Sequence, residues 1–239
     1  MTKFLMPILV VTLLTGCQKQ IPTHKPSEEV SLSKQDQLNE FSTVENLKRG
    51  CSPATIKICD QNWMVKNLDV TTYSNGDRIP QVTDPSAWAA LTTGAWCYYE
   101  NSSANRRIYG KLYNWYAVHD SRGLAPRGWH IPADAEWDNV LNCLGGYELA
   151  GGAMKETGTA HWATPNTGAT NSSGFTALPG AARDEAGLFV NIGFEGIWWS
   201  ASESNSTSAF YRNIIFSAGN LGRGITSKRI GASVRCVKN

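Results

Sequence analysis

Cys17 is the residue whose surroundings point most directly to a reaction. It follows Leu14-Thr15-Gly16, and ahead of these lie Lys3 and an apolar run from Phe4 to Leu14, the layout of an export signal with small residues before the cut. A thiol in that place can be alkylated by diacylglycerol and, after cleavage, becomes an acylated N-terminus; two or three acyl chains anchor stably where one does not. The apolar run is too short to span a bilayer, which takes about 20 residues of helix. Residues 1–16 are therefore expected to be a lipoprotein signal peptide and Cys17 the lipidation site, with the membrane as partner through the lipid anchor. Gln18 stands where an inner-membrane retention signal would show Asp, which points to the bacterial outer membrane, on its cell-surface or periplasmic face.

The remaining cysteines are Cys51, Cys59, Cys97, Cys143 and Cys236, an odd number for an oxidising compartment, so at least one thiol is free or bonded to another chain. Cys51 with Cys59 would close a small loop, and Cys97 with Cys236 would tie the early part of the domain to its end. Both are candidate pairs only, because connectivity does not follow from sequence. His119 and His161 lack a paired His or Cys at metal-site spacing, and His130, beside Trp129, is expected to be a buried structural histidine donating to a backbone carbonyl. Trp137-Asp138-Asn139 has the wrong order and place for a lectin-type calcium site, and Thr164-Pro165-Asn166 lacks the carboxylate its partner would need; calcium wants six to eight converging oxygens. The chain has no Gly-x-Ser-x-Gly elbow, no His-Glu-x-x-His and no phosphate-cradling glycine loop. The expectation is a protein that is not an enzyme and uses neither a metal nor a cofactor.

What the late sequence does offer is recognition chemistry. Ser200 to Arg229 is rich in Ser, Asn and Gly and sets aromatic and cationic residues among them, a composition like that of antibody paratopes. Trp198, Phe210, Tyr211, Arg212, Asn213, Phe216, Asn220 and Arg223 are the candidate ligand-binding residues, for an unknown protein or carbohydrate ligand. A nucleic-acid partner is not expected: 22 Lys and Arg against 20 Asp and Glu leave a net charge of +2, without the basic stripe such a partner demands.

The elements that must position these residues come from one domain. Residues 18–50 contain no Trp or Tyr and are rich in Gln, Lys, Ser, Glu and Pro, too polar to offset the entropy of ordering. Residues 17–50 are read as a flexible tether, with a weak helix from Val30 to Leu47 as the alternative. All nine Trp and seven of the eight Tyr fall between Trp63 and Trp199, marking one aromatic core within residues 51–239. Thr55 to Met64 reads as a hairpin turning at Asp60. Tyr109 to Val118 reads as one short helix, and Asp134 to Leu144, with Trp137, Val140, Leu141 and Leu144 at helical spacing, as a second that stops at Gly145-Gly146. Phe175 to Leu178, Trp198 to Ser200, Tyr211 to Phe216 and Ser233 to Val237 read as strands between polar loops. The fold class is α+β, two short helices packed on small antiparallel sheets with long loops.

The ordered motifs IKICDQNWMVKNLDV, GAWCYY, YGKLYNWYAV, GLAPRGWHIPADAEW, SGFTALPGAARD, GIWWSAS and GASVRCVKN resemble the Fibrobacter succinogenes major paralogous domain, from about residue 51 to the C-terminus. The resemblance implies a C-type lectin-like fold shared with formylglycine-generating proteins, and mostly surface or secreted bacterial proteins without an assigned reaction. Ala125 stands where many members have Cys, which removes one partner for Cys236 and favours Cys97. Ala133 stands where members often have Thr, a loss of about 1 kcal/mol of helix capping unless Asp134 substitutes. Ala181-Ala182 replaces a usual Gly-Tyr before Arg183. Formylglycine-generating proteins bind copper through paired cysteines in the C-terminal half; here that half holds only Cys143 and Cys236. In some lectin-like lipoproteins the place of Ser200 to Arg229 carries a hypervariable ligand surface, so diversified C-terminal loops are part of what the resemblance implies. The reading is a lipid-anchored surface protein with a non-catalytic binding module; a degenerate enzyme related to formylglycine-generating proteins, or a structural envelope protein, is the alternative.

Overall fold

The computed structural model describes residues 53–239; the expected signal and tether, with Cys17 and Cys51, lie outside the described residues. The fold is mixed α+β, with short helices around several small antiparallel sheets. β1 (Thr55–Ile58) and β2 (Gln61–Met64) form the hairpin expected from the sequence. Cys59, at its turn, takes the left-handed φ of 57°. The chain's last strand, β11 (Val237–Lys238), lies between β2 and β5 (Trp129–His130), so that Val237 faces Trp63 on one side and His130 on the other. Beginning, middle and end of the domain thus share one four-stranded sheet.

The largest strands are β8 (Glu195–Glu203), β9 (Ser208–Ile215) and β10 (Gly222–Ser227), with β9 in the centre and β10 at an edge. Side chains alternate across a strand, and here both faces of β8 and β9 are covered. Trp199, Ala209 and Tyr211 pack into one cluster with Trp96, Tyr113 and Trp115. Trp198 and Ile214 pack into another with Trp63, Trp137 and Phe175. In the second, the Trp63 and Trp137 ring centroids are 4.7 Å apart and Phe175 meets Trp198 edge-on at 5.7 Å, the tilted geometries that ring quadrupoles favour.

α1 (Pro85–Ala89) starts on the Asp84 carboxylate, and α2 (Ser103–Tyr109) ends at Gly110. The single helix expected over Tyr109 to Val118 is instead three pieces. Gly110 turns the chain at φ 78°, where an added Cβ would lie 3.1 Å from the Leu68 carbonyl. Leu112–Tyr113 then forms β4, paired with β3 (Trp96–Cys97), and Asn114 caps α3 (Trp115–Val118) by accepting from Ala117 N. α4 (Asp134–Cys143) follows the helix expected from periodicity and buries Trp137 and Val140. Its N-cap is Ala133, which has no oxygen to offer, and Asp134 does not substitute. Glu136 Oε2 accepts from Ala133 N at 2.8 Å, and Ser202 Oγ, from the β8 end, accepts from Asp134 N at 3.0 Å. A tertiary contact thus satisfies a donor that local sequence leaves open.

α5 (Tyr147–Met154) passes so close to the following loops that a Cβ on Gly151 would meet the Asn220 carbonyl at 2.1 Å. β6 (Ala182–Arg183) and β7 (Phe189–Val190) make a small hairpin. Phe175 to Leu178 is not a strand: Thr176 takes a positive φ of 53°, and only Ala177 bridges, to Lys155. The expected strand Ser233 to Val237 is reduced to β11, with Ser233 bridged singly to Trp198.

Among the described residues a disulfide joins Cys59 to Cys143, 84 residues apart in sequence with Cα atoms 6.5 Å apart. This corrects both candidate pairs. Cys59 is spent on the end of α4, and Cys97 and Cys236 are buried free thiols in different clusters. Burial pushes both thiols up, to about 12, so neither is a ready nucleophile.

Two buried cations are held by backbone instead of carboxylates. Lys155 Nζ donates to the Thr167, Ile215 and Ala218 carbonyls at 2.7, 3.1 and 2.8 Å. Burial pushes its pKa down to about 8. Arg183 donates to Gly187, Val82 and Thr83 carbonyls and stacks on Trp88 at 4.6 Å. A buried charge is tolerated only when its donors are satisfied, and here they fasten loops to the core.

Candidate functional site

The eight candidate ligand residues fall into separate places. Trp198 is fully buried, and its Nε1 donates to Asn67 Oδ1 at 2.9 Å. Arg212 is also buried, 1% exposed. Neither can meet a ligand, which corrects their reading: they sit where a sheet is covered on both faces. On the opposite face of β9 from Arg212, Tyr211 lies over Gly224, where a Cβ would come within 2.5 Å of its ring, and Asn213 donates to Glu195 at 2.7 Å. Past the end of β9, Phe216 packs edge-on to Phe194 at 5.2 Å, and Asn220 donates to the Tyr147 hydroxyl at 2.8 Å.

That leaves Phe210 and Arg223, and the structure does bring these together. Antiparallel register sets Phe210 opposite Ile225 and Arg212 opposite Arg223. Two guanidinium groups facing each other across a strand pair would repel. Asp134, at the first turn of α4, lies between them. It accepts from Arg212 Nη2 and, at 2.7 Å, from Arg223 Nε. Asp138, one turn on, accepts from Arg212 at 2.7 Å. So anchored, the Arg223 guanidinium stacks 4.0 Å from the Phe210 ring centroid while its side chain stays 46% exposed. Ile225, 53% exposed, completes the group on the edge strand. The acidic pair and Ile225 were missed by sequence reasoning. Asp134 and Asp138 at i and i+4 on one helix were a visible signal, as such residues share a face; the phase that turns Ile225 outward was not.

His130 differs from its expected role. Its side chain is 40% exposed, with Nε2 2.7 Å from Glu136 Oε1 and Nδ1 2.7 Å from Asn239 Oδ1. Burial alone would lower its pKa, but the hydrogen bonds to Glu136 and Asn239 outweigh that and the net shift is upward. Trp137-Asp138-Asn139 lies on α4, with the Asp138 carboxylate committed to Arg212. Among the described residues, no group of three or more His, Cys, Asp or Glu side chains converges as a metal site would require.

A domain of short helices on small sheets, with a stiff aromatic and guanidinium group at one sheet edge, is what fold and site define. The chain belongs to the Fibrobacter succinogenes major domain family, whose model matches residues 56–238. No curated protein and no solved structure matches it.

Proposed function

We propose that this chain is an exported, lipid-anchored, non-catalytic binding module that recognises a protein or glycan ligand through the β9–β10 edge. The observation that carries the reading is the Arg223 guanidinium stacked on Phe210 beside the exposed Ile225. Arginine and aromatic anchors dominate interface energetics, and here Asp134 holds the arginine in one orientation before any partner arrives, so less ordering cost opposes binding. Display on the outer membrane through Cys17, with residues 17–50 as a spacer, rests on the sequence of the first fifty residues. The C-type lectin-like description of the fold belongs to the same reading and is consistent with the mixed α+β architecture. Among the described residues no helix is long and apolar enough to cross a membrane, so the proposal assigns attachment to acyl chains. The test replaces Phe210, Arg223 and Ile225 together by Ala and measures binding to polysaccharide arrays and adhesion to intact cells. Loss of at least about thirtyfold in affinity, the size of one strong anchor, is expected; unchanged binding refutes the edge as the recognition surface.

A further inference from the structure

Away from the β9–β10 edge, two adjoining hollows of about 590 and 320 Å³ share Lys66, Asn67, Arg107 and Ile108 in their walls. The smaller is also lined by Arg235, a side chain that is 2% exposed. The other buried cations are held by a carboxylate or by three carbonyls, although Arg212 Nε has no partner among the described residues. Lys111 and Arg212 each meet a carboxylate, while Lys155 and Arg183 each take three separate carbonyls. Arg235 has neither arrangement. Its Nε and Nη2 share one acceptor, Asn67 Oδ1, at 3.0 and 2.8 Å, and Nη1 donates to the Phe175 carbonyl. A guanidinium has five N–H donors, so among the described residues its donors outnumber its acceptors, and no carboxylate lies within 4.0 Å. Asn67 Oδ1 is already shared with Trp198 Nε1, which thins what it can give.

The walls agree with this imbalance. Lys66 and Arg107 are exposed and make no ion pair or hydrogen bond with any described residue. Asp69 is the one carboxylate lining either hollow, and it is taken up by Arg106 at 2.7 Å and by Lys111. His161, in the smaller hollow, is tied through Nδ1 to Glu156 at 2.8 Å. Ile108, 42% exposed, and Leu178 supply an apolar flank. Burial without a counter-charge holds the Arg235 pKa down, to about 9, and an anion entering the hollow would relieve that cost, since charge-assisted bonds from a planar fork are among the stronger ones.

We infer that this cleft is a binding site for an organic oxyanion, a carboxylate or phosphate ester, whose charged head meets Arg235, Lys66 and Arg107 and whose body lies against Ile108 and Leu178. The inference stands apart from the β9–β10 edge and needs no part of it. The test uses the purified full chain and follows the Arg235 Nε–H resonance during titration with inorganic phosphate, with glucuronate and with uncharged glucose, all at matched ionic strength set by chloride. A saturable shift with phosphate or glucuronate and none with glucose is expected, and the arm that binds more tightly assigns phosphate or carboxylate chemistry. The double variant Lys66→Ala/Arg107→Ala, which touches only exposed side chains and leaves Arg235 in place to report, should weaken that binding at least tenfold. No saturable shift with either anion, an equal shift with chloride alone, or undiminished affinity in the double variant would overturn the site.

Discussion

Removing the Cys59–Cys143 bond gives the sharpest measure of how this domain is held. The bond closes a loop whose ends are 84 positions apart in sequence. On the loop-entropy account, freeing an unfolded chain from a closure of that length costs the native state about 4.5 kcal/mol, at the upper end of the usual 2–5. Neither cysteine is buried, Cys59 being half-buried at a hairpin turn and Cys143 exposed at a helix end, so Cys59→Ala/Cys143→Ala removes little packing. The loss is then almost wholly the tether. Urea unfolding followed by tryptophan fluorescence should show it as a lower midpoint. The denaturant slope should also steepen, because the unlinked chain exposes more surface when it unfolds. Reductant should shift the natural chain in the same direction by opening the same bond, since Cys97 and Cys236 are already thiols. A loss under about 1 kcal/mol, with the slope unchanged, would refute the idea that the cross-link acts through the unfolded chain.

Lys155→Met keeps most of the side chain's bulk but leaves the Thr167, Ile215 and Ala218 carbonyls without their shared donor. At about 1–3 kcal/mol for each orphaned group, urea titration should record at least about 3 kcal/mol of destabilisation. His130, with its pKa raised in the fold, adds stability that is complete below the ordinary histidine value and fades as pH rises through the folded one. Its exposure keeps that to about a few tenths of a kcal/mol. The His130→Gln variant should lose that increment at pH 5 and match the natural chain more closely once pH has risen past the folded value, and a downward His130 shift in NMR titration would contradict the assignment.

The parts of the fold legible in sequence are those with one covered face. α4 was readable because Trp137 and Val140 recur at helical spacing against an exposed opposite side, and the first hairpin because its strands are short and end in a turn. β8 and β9 announced themselves as strands but hid their facing. With both faces covered, alternation carries no polar mark, so Trp198 and Arg212 looked as available as Phe210. Residues 109–118 misled for another reason. Helical spacing of Leu112, Trp115 and Tyr116 outweighed Gly110 and Asn114, whose roles as stop and cap were present in the sequence. The disulfide depended on where a hairpin turn meets a helix end, a long-range fact that no spacing encodes. The site was half visible: aromatic and basic residues were in the right segment, and the carboxylates that orient them came from a helix eighty residues earlier.

The ammonium of Lys155 donates to three peptide oxygens and to no side-chain oxygen of the loops it fastens. Every amino acid brings the same oxygen, so residues 167 and 218 can change identity without loosening the clasp. Such a clasp lets mutation rewrite the lettering of a loop while its path in space persists, which is the division of labour a surface exposed to changing partners would need.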